Sequence, residues 1–205
     1  EQEYGRIIRT SHYPYYGVKE RQRSGESDSV RFLHKWLEET PAARARYWRD
    51  SNTWEARGQY CPTYALGEGR DAFFRGILGK FRSQVESLPS TSVVWADYEE
   101  APWMSWEPRS GENCFCFCDR CKEEFRQWAN LAKDADLSDE NIFESYRSSW
   151  HSFRSYLDGE VAGVAKEAAN ELGRKYMVYT WWKHRDYWAA MKDNIDLAFV
   201  KIGRA

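Results

Sequence analysis

The chain has 205 residues, a formal net charge of −2, and 30 Lys/Arg mixed with 32 Asp/Glu. That length can bury a full core and is read as one domain over residues 1–205. Mixed charge without a basic block gives a nucleic-acid partner no electrostatic support, and the apolar runs are too short for a membrane span.

In chain order, a β-like piece around Ile7-Ile8 leads to an aromatic turn at residues 12–17, and Lys19 to Ser29 reads as a polar surface loop. A first helix is expected from Ser29 to Glu39, with Val30, Leu33 and Leu37 on one side and Pro41 beyond its end. Gln59 to Tyr64 reads as a short extended piece, and Gly67 and Gly69 turn the chain into a second helix. There Phe74, Ile77, Leu78, Phe81, Val85 and Leu88 recur every three or four residues before Pro89.

Ser92 to Ala96 is apolar and β-rich without alternation, the pattern of a strand buried on both faces of a parallel sheet. It runs into Asp97, Glu99 and Glu100, then a loop with Pro102, Trp103, Trp106, Pro108 and Gly111, and then Cys114, Cys116, Cys118 and Cys121. A helix carrying Phe125, Trp128 and Leu131 follows. Ser138 or Asp139 can cap one long helix striped by Phe143, Tyr146, Trp150, Phe153, Leu157, Val161, Val164, Ala168 and Leu172. Gly159 and Gly163 weaken its middle, and Gly173 stops it. Tyr176 to Trp182 reads as a strand, Asp186 to Met191 as a short helix, and Ile195 to Ile202 as a last strand.

Alternating strands and helices from about Gln59 onward imply βα units and a parallel sheet. No strand is followed by a G-x-G-x-x-G or Walker-type loop, which disfavours a nucleotide-binding doubly wound sheet. The expected fold is α/β, a parallel (β/α)8 TIM-barrel type. A complete barrel takes about 250 residues, so the barrel is expected to be incomplete in this chain.

Two clusters carry chemistry. C-x-C-x-C-x-x-C spacing suits thiolates turned towards one tetrahedral metal, with structural Zn²⁺ the default for sulfur donors. Disulfides are the competing reading, although cysteines this close in sequence would close strained small loops. Cys61, expected at the neighbouring strand end, can complete the set as the fourth ligand with Cys116, Cys118 and Cys121, leaving Cys114 spare.

The second cluster is acidic. Parallel α/β folds place their active sites at C-terminal strand ends, and Asp97 and Glu99 share one strand face. Glu99 is the candidate general acid/base, with Glu100 its rival if the register shifts by one. Flat rings suit the apolar faces of sugars, so Tyr98, Trp103 and Trp181 are candidate substrate contacts, with Asp97 at the strand end as a polar one. His12, His34, His151 and His184 are scattered and read as surface or packing residues.

Gln59-Tyr60-Cys61-Pro62-Thr63 resembles the H-Y-C-P segment of glycoside hydrolase family 42, the bacterial β-galactosidases built on a (β/α)8 barrel. Trp95 to Glu100, followed by Cys116-Phe117-Cys118-Asp119-Arg120-Cys121 with Phe125 and Trp128, resembles that family's D-N-E-Y-G and C-x-C-x-x-C-x-x-x-F-x-x-W elements. The resemblance implies zinc ligands at Cys61, Cys116, Cys118 and Cys121 and the acid/base at Glu99. It also implies a β-galactoside or related carbohydrate substrate, and a nucleophile from a later strand outside this chain. Tyr98 stands where the family has an Asn that touches the sugar, Gly58 stands where it has a sugar-binding Arg, and the loop before the thiols is longer. The alternative is a non-catalytic, zinc-stabilised carbohydrate-binding or scaffold domain. A homo-oligomer, or the remainder of a longer chain, is the protein partner left open. A thiolate metal site argues against an oxidising compartment and favours the cytoplasm.

Overall fold

The computed structural model describes residues 35–46, 60–97, 116–181 and 185–201. Residues 35–39 are helical, and a 3-10 turn spans Pro41–Ala43. The elements that follow are helix α1 (Pro62–Leu66), helix α2 (Arg70–Ser87), strand β1 (Val93–Asp97), helix α3 (Asp119–Trp128), helix α4 (Asp139–Glu144), helix α5 (Arg147–Glu171), strand β2 (Lys175–Trp181), helix α6 (Arg185–Met191) and strand β3 (Leu197–Lys201). No helix among the described residues is long and apolar enough to cross a membrane.

The three strands form one parallel sheet in the order β1-β2-β3, with Val94 opposite Tyr176 and Val178 opposite Ala198. Val94, Ala96, Tyr176 and Val178 lie on one face and are buried, and α2 and α5 pack on the strands that carry them. Phe81 of α2 meets the Tyr176 ring at 5.7 Å.

The expected (β/α)8 barrel is corrected: the described residues form a mixed, largely helical arrangement around a small three-stranded sheet. Two local causes are visible. A barrel strand must pair on both sides, but at Trp95 the outer edge of β1 is taken by Gln84 of α2. Its side-chain Nε2 donates to the Trp95 carbonyl at 2.9 Å, and its Oε1 accepts from the Trp95 amide at 3.1 Å. Nor is the piece around Cys61 a strand. Tyr60 makes an isolated antiparallel bridge with Arg44, and Pro62 then opens α1 at the position where a missing N–H costs nothing.

The long helix expected after Ser138 is two helices. Ser138 caps α4 as expected, its side chain accepting from the Asn141 amide at 3.2 Å. The chain then breaks at Ser145 and Tyr146, whose amides both donate to the Asn141 carbonyl. In α2 the buried line runs through Phe73, Ile77 and Phe81, one position away from the predicted start at Phe74.

Helix α5 is the centre of the core, burying Trp150, Phe153, Leu157, Val161 and Ala165. Gly159 is there for close approach: a Cβ on it would stand 2.5 Å from the Ala190 carbonyl oxygen of α6. Beyond the helix, Gly173 takes φ +62°, the left-handed value that lets a helix stop and turn into β2. The expectations at Ile7-Ile8, in the loop Lys19 to Ser29 and in the first part of the first helix lie outside the described residues.

Candidate metal centre

Three stretches of backbone meet at the thiols, and two of them, at Cys61 and at residues 116–121, deliver sulfur. Residues 43–46 form the platform. The Cys61 amide donates to the Ala43 carbonyl at 2.7 Å, and the Phe117 amide to the Arg46 carbonyl at 2.8 Å. Cys61 is thereby fixed as the residue that caps α1, with its Sγ accepting from the Tyr64 amide. Cys118 caps α3, and Cys121 sits in the first turn of that helix. Two helix N-termini therefore face the sulfurs, and their partial positive charge favours thiolates.

Between Cys116 and Cys118, Phe117 is fully buried and stacks on Trp150 at 5.2 Å. This side chain plugs the thiol-bearing turn into the core beside Phe125, whose ring meets Trp150 at 4.9 Å. The order Cys-Phe-Cys therefore has a physical use, since the apolar residue anchors while its two neighbours turn to the same centre.

The four ligand atoms of Cys61, Cys116, Cys118 and Cys121 lie within 4.8 Å of one another. Cys61 Sγ is 3.6 Å from Cys118 Sγ and 3.5 Å from Cys121 Sγ. A disulfide needs about 2.05 Å, and all four are free thiols, so the disulfide reading does not hold for them. A tetrahedron with metal–sulfur bonds of about 2.3 Å has edges of about 3.8 Å, close to the spacing present. These four cysteines could hold a metal ion, and all but Cys118 are buried.

The electrostatics point the same way. Burial pushes the Cys116 and Cys121 thiols well above their ordinary value. Contact with neighbouring sulfurs, Cys116 foremost, draws Cys61 and Cys118 down. Four crowded sulfurs thus divide their protons unequally, a conflict that a bound divalent cation removes by making all four thiolates.

Polar groups adjoin the cluster. Arg120 stacks its guanidinium over the Tyr64 ring at 4.9 Å and reaches Glu68 at 3.4 Å. Burial works against its charge, but Cys61, Glu68 and Cys118 together raise its pKa. Thr63 Oγ1 lies 3.2 Å from Cys121 Sγ. The Arg46 amide donates to Cys116 Sγ at 3.1 Å.

Of the other candidates, Asp97 is the last residue of β1, its Cα paired with that of Tyr179, and Trp181 is the last residue of β2. Glu99, Glu100, Tyr98, Trp103 and Cys114 lie outside the described residues. Sequence reading missed Arg46, Arg120 and Lys122 near the thiols, and it took Asp139 only for a helix cap. Nothing in their spacing points to Cys116, because the 3-10 turn and the Arg44–Tyr60 bridge bring residues 43–46 alongside. Comparison with known proteins finds no family profile, curated protein or solved structure that matches this chain.

Proposed function

We propose that Cys61, Cys116, Cys118 and Cys121 hold one structural zinc ion, and that this centre supports a glycoside-cleaving or glycoside-binding surface built on the segment between β1 and α3. The observation that carries the metal reading is the four-sulfur cluster with ligand atoms within 4.8 Å. Zinc fits a closed set of four thiolates, needs no redox partner, and has no coordination position left for substrate or water. When bound, it supplies a cross-link between residue 61 and residues 116–121.

That cross-link lies next to the acidic stretch in sequence. Asp97 is the last residue of β1, Glu99 follows two positions later, and Cys116 comes 19 positions after Asp97. The reading takes Glu99 as the group that protonates the departing glycosidic oxygen of a β-galactoside or related sugar, beside Asp97, Tyr98 and Trp103. A second carboxylate is then required, about 5–5.5 Å away for retention or about 6.5–9.5 Å for inversion. The resemblance assigns it to a later strand.

A second reading, a zinc-stabilised carbohydrate-binding domain without turnover, is favoured by the closed coordination set and by strands β2 and β3, which end in Trp181 and Lys201 instead of a carboxylate.

The test is elemental analysis of the purified protein followed by chromogenic β-glycosides, with Glu99→Gln beside wild type in the whole protein. One zinc per chain, together with a loss of turnover of about 10²–10⁴-fold in Glu99→Gln, is expected for an acid/base residue. Turnover undiminished by that substitution would remove Glu99 from the role. Sugar binding without turnover would select the second reading, and a protein that binds no zinc would end the metal assignment.

A further inference from the structure

Beyond the bond that its amide makes to Cys116 Sγ, Arg46 also acts through its side chain. Its Nε donates to the Phe117 carbonyl at 2.7 Å, and its Nη2 donates to the same oxygen. Nη1 and Nη2 fork onto the two carboxylate oxygens of Asp139, at 3.0 and 2.6 Å, across 93 positions of chain. Lys122, the residue after Cys121, reaches the same carboxylate at 2.7 Å. One buried carboxylate therefore ties the turn carrying Cys116 and Cys118 to the helix turn carrying Cys121.

Asp139 is itself held from behind. It opens α4, where Ser138 is the cap and Ile142 is fully buried. A forked guanidinium–carboxylate pair with the carboxylate buried and the guanidinium partly so is directional as well as strong. Two cations sharing one carboxylate also leave a net positive charge beside four thiolates and a divalent ion, which together carry two negative charges.

We propose that Arg46 and Asp139 are positioning residues of the metal centre. By clamping the Phe117 carbonyl and Lys122, they fix the directions in which Cys116, Cys118 and Cys121 present their sulfurs, so metal affinity depends on a carboxylate that is not itself one of the four ligands. The inference rests on the metal reading above. It adds that α4 belongs functionally to the centre.

The test uses Co²⁺ as probe, followed by its thiolate charge-transfer absorption, with zinc affinity obtained by competition. Asp139→Asn and Arg46→Gln are each expected to weaken zinc about 10–100-fold, the usual effect of losing an outer partner. The double variant should be little worse than the weaker single, because both break one fork. Glu140→Gln removes the same charge from the next position and should leave affinity unchanged.

A role confined to α4 stability would lower the melting temperature of the metal-free protein without changing affinity, and that result would overturn the proposal. If Asp139→Asn does not fold, Arg46→Lys decides. It keeps the charge but cannot fork, and wild-type affinity in it would equally overturn the proposal. Wild-type protein that shows no cobalt–thiolate band would instead sink the metal reading itself, and this inference with it.

Discussion

Cys61 Sγ and Cys118 Sγ stand 3.6 Å apart although 57 positions separate them. A bridge that closes a loop of this length removes unfolded-state entropy worth about 4 kcal/mol on the cross-link model. Cys61 is the only one of the four that lies outside residues 116–121. Cys61→Ser should therefore abolish most of the stabilisation that zinc gives. Thermal unfolding with zinc and with a chelator checks this: wild type should melt higher with zinc, and the variant should melt alike in both. A wild-type melting temperature indifferent to chelation would refute the cross-link.

Gly159 lets α5 approach the backbone of α6 closely. A Cβ there would lie 2.5 Å from the Ala190 carbonyl oxygen and 2.9 Å from its carbon, and backbone cannot swing aside. Gly159→Ala should destabilise by about 1–3 kcal/mol, as overpacking does, despite a helix-propensity gain of about 1 kcal/mol. Gly163→Ala meets the end of the Asn194 side chain, its oxygen nearest at 3.1 Å, and should be near neutral. Chemical denaturation of the two variants makes the comparison, and equal effects would remove the steric explanation.

Gln84 closes the edge of β1 with one side chain. Replacing it by Leu keeps the bulk but leaves the half-buried amide and carbonyl of Trp95 without these partners. Each lost partner leaves a group whose unmet desolvation is worth about 1–3 kcal/mol. Gln84→Leu should lower stability by about that amount, and amide exchange at Trp95 should accelerate. Unchanged exchange there would show that the edge is protected by something else.

What could be read from the sequence divides along physical lines. Helix α2 and strands β1, β2 and β3 announce themselves through local apolar patterns, and the thiol cluster announces itself because four cysteines in eight positions are a strong local signal. The overall architecture was not legible. Alternating strands and helices do not say where a sheet ends, and the outer edge of β1 is closed at Trp95 by a Gln from the preceding helix, which no periodicity reveals. The break at Ser145 and Tyr146 was hidden for a similar reason, since the apolar stripe continues through it while the hydrogen bonds to Asn141 do not. Arg46 and Asp139 were invisible as a pair because their contact is made by tertiary folding alone.

Asp196 fastens the entry to β3. Its Oδ2 accepts from the Tyr176 amide at 2.8 Å, its own amide donates to the Tyr176 carbonyl at 3.0 Å, and Lys166 reaches Oδ1 at 3.1 Å. Burial opposes the carboxylate charge, but the Tyr176 amide and the Lys166 ammonium outweigh it and hold the Asp196 pKa below the ordinary value. A lowered pKa in the folded state means that the contribution is fully present above the unfolded value of about 3.9 and fades as pH falls through and below it. Asp196→Asn should therefore melt below wild type at pH 7, by an amount equivalent to about 1 kcal/mol for a partly exposed pair. The gap should close as pH is lowered from about 5 towards 2. Melting curves of both proteins across that range, compared as a difference so that acid effects elsewhere cancel, provide the check. A gap independent of pH would mean that Asp196 acts through shape and not through charge.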